Sequence, residues 1–254
     1  MLLVVDIGNT NIVIGVYAGD ELKADFRITT STTRTTDEYL ISLSALLRAA
    51  AFQLGQIDGA IISSVVPALT PTWERVFDKY AGITALVVGP GIKTGLDVQY
   101  EDPHAVGADR IVNAVAGIHL YGTPLIVVDF GTATTLDVIL PKNVYSGGVI
   151  VPGVLISLAA LTSRTAKLPQ VDLAQPKTVV GKTPATSMQS GAFFGYIALV
   201  DGLIEMIWNE IGTETAVVAT GGVAETFAGR FKHIKQVNLT LTLFGLKLLW
   251  EKNQ

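Results

Sequence analysis

Apolar residues in this chain gather into two kinds of run. Short β-branched runs of strand length stand at "LLVVDI" (2–7), "IDGAIISSVVP" (57–67), which stops at Pro67, "TALVVGPG" (84–91), "LIVVDF" (125–130) and "TAVVATGG" (215–222). Longer stretches carry helical spacing. "DEYLISLSALLRAAAFQL" (37–54) sets Leu40, Leu43, Leu46 and Leu47 on one face. "PTWERVFDKYAG" (71–82) has Pro71 near its first turn and Gly82 beyond its end. "GADRIVNAVAGIHLYG" (107–122) lines up Ile111, Val112, Val115 and Ile118. The residues 187–211 form one long helix, and "LFGLKLLWEKN" (243–253) closes the chain as another.

The strand pattern repeats. "VVDIGNTNIVIGV" (4–16) and "VVDFGTATTLDVI" (127–139) share one phrase: an apolar strand, an aspartate, a glycine with small or hydroxyl residues, and a second strand. Asp6 and Asp129 lie 123 residues apart, about half of the 254-residue chain. Each phrase continues as a meander, the first through residues 11–29 and the second through 135–151 with a turn near Lys142-Asn143. Two tandem α/β halves are expected, residues 1–120 and 121–254, with mixed sheets flanked by helices and a cleft between them. The boundary falls near Tyr121-Gly122.

Composition narrows the chemistry. The chain is 49% hydrophobic, enough for one large core or two modest ones, and its net charge of −4 argues against a broad nucleic-acid footprint. It has no cysteine, which removes disulfides, thiolate metal sites and a cysteine nucleophile, and fits a cytoplasmic protein. Asp6 interrupts the first apolar run after five residues, unlike a signal peptide. No run reaches the roughly 18 uninterrupted apolar residues of a membrane span. "GYIALVDGLIEMIWNEI" is cut by Asp201 and Glu205 and reads as a buried helix, so no membrane is expected as a partner.

In each repeated phrase a carboxylate stands at a strand end beside a tight turn. Glycine permits close backbone approach, and turn amides with Thr or Asn side chains can face an anion. A carboxylate next to a phosphate needs a cation between them, and Mg²⁺ held by substrate phosphates and one or two carboxylates supplies it. Two such turns could hold a nucleotide triphosphate from both sides. The plainer alternative is two hairpins ending in Asx-type turns. "PKTVVGKT" (176–183) ends like a phosphate loop, but Pro176 stands where glycine is required. "GPGIKTG" (89–95) has its third glycine displaced, and no helix follows.

With both turns in place the sequence resembles the type III pantothenate kinases, within the acetate kinase/sugar kinase/heat-shock chaperone/actin superfamily. The resemblance is carried by "DIGNTN" (6–11), "VGPGIKTGL" (88–96), "VGADR" (106–110), "DFGTATT" (129–135), "GGVIVPG" (147–153), "SMQSG" (187–191) and "TGGVA" (220–224). It implies two ribonuclease H-like, actin-like ATPase domains. It also implies transfer of the ATP γ-phosphate to the 4′-hydroxyl of pantothenate, opening coenzyme A biosynthesis, in a homodimer that needs Mg²⁺ and a monovalent cation, K⁺ or NH₄⁺.

Site roles follow from the same resemblance. Asp6, Ile7, Gly8, Asn9, Thr10, Asn11, Ile12 and Val13 would bind ATP, with Asp6 organising Mg²⁺ through the phosphates. Thr132, Gly221 and Gly222 would complete the nucleotide site, and Asp129 would hold the monovalent cation. Tyr100, Gly107, Ala108, Asp109 and Arg110 would bind pantothenate, with Asp109 as catalytic base. From the residues alone, Asp109 reads first as plain charge compensation at a helix N-terminus, a position that favours the ionised carboxylate. Arg110 reads as a two-point carboxylate binder or as a surface ion pair with Glu101 or Asp102. Pro184 departs from the family, which has a substrate-contacting threonine there; Thr183 and Thr186 flank it. His104, His119 and His233 have no metal-ligand spacing, and Trp73, Trp208 and Trp250 read as core or interface residues. Two other functions compete: a nucleotide-sensing transcriptional regulator of the same fold, disfavoured by the intact Asp6, Asp109 and "DFGTATT", and a kinase for another hydroxylated metabolite, disfavoured by "GADR".

Overall fold

The computed structural model describes residues 1–254. In chain order the elements are β1 (Leu2–Ile7), β2 (Asn11–Ala18), β3 (Glu21–Thr29), α1 (Thr36–Ala49), β4 (Gly59–Ser64), α2 (Thr70–Ala81), β5 (Leu86–Val87), β6 (Asp97–Val98), α3 (Ala108–Tyr121), β7 (Leu125–Phe130), β8 (Ala133–Leu140) and β9 (Val144–Pro152). They continue as α4 (Val154–Arg164), α5 (Pro184–Ser190), a π turn (Gly191–Gly195), α6 (Tyr196–Ile211), β10 (Ala216–Thr220), β11 (Gln236–Val237) and α7 (Leu241–Lys252).

The repeat read from the sequence is a repeat of topology. One sheet runs β3-β2-β1-β4-β5 and the other β11-β10-β7-β8-β9-β6. In each, an antiparallel meander continues into parallel strands beyond its first strand, so β9-β8-β7-β10-β11 repeats β3-β2-β1-β4-β5. The match reaches single residues. β2 and β8 have the same burial pattern, and both meanders are bulged between the sixth and seventh residues of the middle strand, Val16/Tyr17 and Val138/Ile139. Both are the mixed sheets that the repeat leads one to expect.

The chain forms two compact units: Met1–Leu96 with Tyr100–His119 and Thr240–Gln254, and Asp97–Gln99 with Leu120–Leu239. In the first, Leu3, Val5, Ile7, Ile12 and Ile14 on one sheet face bury against Tyr39, Leu43 and Leu47 of α1 and Trp73, Val76 and Phe77 of α2. A capping box between Thr35 and Glu38 fixes the start of α1, and Gly82 in the left-handed region ends α2. On the opposite face Val4, Tyr17 and Ile61 pack with Val112 of α3 and Leu243, Leu246 and Leu249 of α7. A division at residue 120 therefore misassigns α7, whose apolar side completes the first unit; a Cβ on Gly245 would stand 2.8 Å from Val112 Cγ1.

In the second unit Ile126, Val128, Leu136 and Val138 pack against Phe193, Val200, Ile204 and Ile207, and Phe130, Phe227 and Phe231 cluster beside them. The span Pro184–Ile211 is long and apolar enough to cross a membrane, yet its Phe193, Tyr196, Val200, Ile204 and Ile207 are buried in this core.

Several boundaries differ from the sequence reading. The strand expected over 84–91 shrinks to two residues, because Gly89-Pro90-Gly91 turns the chain. The long helix begins at Pro184, where Thr183 caps it, and contains the π turn. On α3 the fully buried residues are Arg110, Val112, Asn113, Ala114, Ala116 and Gly117, while Ile111, Val115 and Ile118 are half-buried. Small residues there admit close neighbours, and Asn113 accepts a hydrogen bond from Thr242 at 2.7 Å. Helix α4 is not marked in the sequence by polar alternation: Leu155, Ile156 and Leu161 are all exposed.

Candidate active site

The first unit brings two of the acidic segments to one sheet face. Asp6 is the penultimate residue of β1, paired with Val13 of β2 and Ser63 of β4. Leu3, Val5 and Ile7 face α1 and α2, so alternation turns Asp6 to the face shared by Val4 and α3. The following turn is tied down by three bonds. Gly8 N donates to Asn11 O at 3.0 Å, Thr30 N to Thr10 O at 3.0 Å, and Thr30 Oγ1 to Gly8 O at 2.6 Å. Asn9 and Thr10 are thereby left exposed, whereas Ile7 and Ile12 are core residues with only backbone to offer a ligand. Val13 is half-buried.

Beyond β4, Val65 N donates to Ile7 O at 3.0 Å, and Val65 lies beside Gly107 at the start of α3. Asp109, in the first turn of α3, folds back so that its Oδ1 accepts the Arg110 amide at 2.8 Å. A Cβ on Gly107 would stand 2.6 Å from that oxygen, so glycine is what lets the carboxylate occupy its place. Burial pushes the Asp109 carboxyl above the usual aspartate range, opposed by the Arg110 amide and guanidinium. Desolvation is the largest effect on this carboxyl. Arg110 is 7% exposed, which does not fit a surface ion pair with the exposed Glu101 or Asp102. Ala108 and Tyr100 are half-buried, and Tyr100 lies two residues beyond the end of β6.

The second unit gathers the other expected residues. Asp129 is penultimate in β7, paired with Thr135 of β8 and Thr220 of β10. The parallel β7–β10 pairing brings the "TGG" turn against it. Gly221 has φ +97°, and a Cβ there would lie 2.5 Å from Phe130 N. Gly131, Thr132 and Gly222 are exposed around this turn. Gly153 supports it from below, donating its N–H to Thr132 O at 3.1 Å, with no room for a Cβ beside Gly131 O at 2.6 Å. Tyr196 donates its hydroxyl to Thr134 Oγ1 at 2.6 Å, fixing the start of β8.

Thr30, Gly153 and Tyr196 were not singled out by sequence reasoning. Each braces a turn from a distant part of the chain, a relation no local pattern encodes. Thr183 and Thr186 cap α5 reciprocally, each backbone N–H donating to the other's hydroxyl, with Pro184 at the first helical position. Residues 176–183 form no strand–loop–helix: Gly181 packs against Ser187 instead. No group of three or more His, Cys, Asp or Glu residues could hold a metal ion. His233 bonds Glu205 at 2.8 Å, and His104 and His119 are exposed.

Comparison with known proteins places this geometry. The family model described as type III pantothenate kinase matches residues 2–206. The chain belongs to the type III pantothenate kinase family. A type III pantothenate kinase of Geobacillus thermodenitrificans is 52% identical over 253 residues, covering 100% of this chain and 98% of the relative. That of Brevibacillus brevis is 50% identical over 254 residues, covering 100% of both. Among solved structures, the Campylobacter jejuni protein described as a Baf family transcriptional activator superposes with a TM-score of 0.62 at 20% identity, covering 99% of this chain and 98% of that one. Component A of the (R)-2-hydroxyglutaryl-CoA dehydratase of Acidaminococcus fermentans gives 0.56 at 14% identity, covering 96% and 94%. These two share the fold. Membership of the type III pantothenate kinase family makes this protein an enzyme, a kinase with ATP as co-substrate and a divalent cation.

Proposed function

We infer that the protein transfers the γ-phosphoryl group of ATP to the 4′-hydroxyl of pantothenate, the first step of coenzyme A biosynthesis. The observation that carries this reading is the "GADR" segment, a half-buried aspartate and a buried arginine opening α3, in a chain matched along its whole length by type III pantothenate kinases.

Asp109 accepts the hydroxyl proton. Phosphoryl transfer is largely dissociative, so the base chiefly orients the alcohol, and a carboxyl raised by burial is a better proton acceptor than a solvated one. Arg110 binds the pantothenate carboxylate through its guanidinium fork, Gly107 and Ala108 leave space for the substrate, and Tyr100 contacts it. The braced turn at 8–11 presents amides and the Asn9 and Thr10 side chains to the phosphates. Thr132 contacts ATP, and Gly221 and Gly222 let the adenosine lie against backbone.

Without a cluster of protein ligands, a Mg²⁺ ion held by substrate phosphates and Asp6 fits the donor set, and Asp129 offers a hard oxygen to K⁺ or NH₄⁺. The Mg²⁺ neutralises phosphate charge when bound. Thr183 and Thr186 keep their hydroxyls in the α5 cap, so neither stands in toward the substrate for the threonine that Pro184 replaces. A homodimer in the cytoplasm completes the reading. The exposed Leu155, Ile156 and Leu161 of α4 and Leu199 and Met206 of α6 supply the apolar surface a dimer would cover.

Release of ADP that depends on pantothenate, in Mg-ATP and K⁺, tests the assignment. Turnover with a sugar and none with pantothenate overturns it.

A further inference from the structure

Two adjacent serines end β4 with opposite fates. Ser64 is consumed by the turn: its Oγ accepts the Val66 amide and donates to Val66 O, both at 3.2 Å. Ser63 has 0% exposure, and its Oγ has no hydrogen-bond partner. A buried hydroxyl without a partner is costly, and alanine would fill the same space without that cost. Ser63 is also fixed in register directly opposite Asp6 on the neighbouring parallel strand. Ala60 and Ile62 pack toward α1 and α2 and Ile61 toward α3 and α7, so alternation puts the Ser63 side chain on the Asp6 face. Neighbouring strands lie about 4.8 Å apart, within reach of a hydroxyl-to-carboxylate bond.

We propose that Ser63 is a positioning residue for Asp6: in the nucleotide-bound enzyme its hydroxyl donates to the Asp6 carboxylate and holds it in the orientation that serves the phosphates. The proposal rests on the kinase reading above. The ladder bond from Val65 to Ile7 and the Ser64 turn fix the backbone on the C-terminal side of Ser63, so its hydroxyl has only to rotate about one bond to meet the carboxylate. A hydrogen bond from a fixed donor to a charged acceptor changes affinity by roughly 10-fold or more.

The test compares wild type with Ser63→Ala and Ser63→Cys, the latter nearly the size of serine with a weak donor. Calorimetric titration with Mg-ADP should show roughly 10-fold weaker binding in both variants. The KM for pantothenate should be unchanged, and Ser63→Ala should melt no lower than wild type, because it removes an unpartnered polar group. Unaltered Mg-ADP affinity in both variants overturns the proposal. So does a lowered melting temperature in Ser63→Ala that Ser63→Cys restores together with affinity, since packing would then account for the effect. A wild-type protein that binds Mg-ADP but does not phosphorylate pantothenate refutes the substrate reading, while the calorimetric comparison still decides the role of Ser63.

Discussion

The carboxylate of Asp109 and the missing side chain of Gly107 share one space: a Cβ on Gly107 would stand 2.6 Å from Asp109 Oδ1. Gly107→Ala must displace the carboxylate that accepts the Arg110 amide. Misplacing a reacting group by a fraction of an ångström to an ångström costs about 10- to 100-fold in rate. We expect kcat for pantothenate to fall by that factor with little change in melting temperature, measured by steady-state kinetics and thermal denaturation. An unchanged kcat contradicts the placement of Asp109 at the chemistry.

Asp109→Asn removes the proton acceptor and should lower kcat about 10²- to 10⁴-fold while Mg-ATP still binds. Burial raises the Asp109 pKa above the ordinary 3.8, so kcat/KM should fall on the acid side with a midpoint above that value. The sign for stability is opposite to that of a salt-bridged acid. A carboxyl raised on folding binds its proton more tightly in the native state, so its contribution improves as pH falls through the folded pKa. At neutral pH Asp109→Asn should therefore melt at or above the wild-type temperature. A large loss of stability in this variant contradicts that account.

Gly221 combines positive φ with a backbone neighbour, Phe130, that cannot retreat without disturbing β7. Gly221→Ala should destabilise the protein by about 1–3 kcal/mol and weaken ATP binding, read from denaturant melts and nucleotide titration. Wild-type stability in this variant would mean that the turn relaxes freely.

Glu205 bonds both Lys232 and His233 at 2.8 Å, and these bonds hold its pKa down to about 2 from 4.5. For an acid depressed on folding, the stabilisation is present above 4.5 and is lost as pH falls toward 2. The melting temperature of wild type should drop through that window more steeply than that of Glu205→Gln. Parallel curves would show that the exposed pair contributes nothing measurable.

The duplicated phrase carried the fold because its information is local: a strand, an acid, a turn and a strand can each be read within a dozen residues. The meanders and the strand-end positions of Asp6 and Asp129 follow from it, while the strand order and the repeated bulges appear only in the folded sheets. What stayed hidden is long-range. Nothing near residue 245 tells that α7 returns to the first sheet, and α4 lacks the polar face that marks a surface helix. The capping box at Thr183 was missed, because its partner Thr186 is not the Glu or Gln that marks such a box, and the braces from Thr30 and Gly153 exist only once the chain is folded. The desolvation of Asp109 stayed hidden for the same reason: a helix start is visible in sequence, but the burial that raises the carboxyl's pKa is not.

The most direct measurement is the identity of the phosphorylated product when wild-type protein is given Mg-ATP, K⁺ and an equimolar mixture of pantothenate and a hexose. The account predicts that phosphate appears on the 4′-hydroxyl of pantothenate, by mass and by phosphorus–proton correlation, with the hexose untouched. Phosphorylation of the hexose alone, or ADP release with pantothenate unmodified, would contradict it.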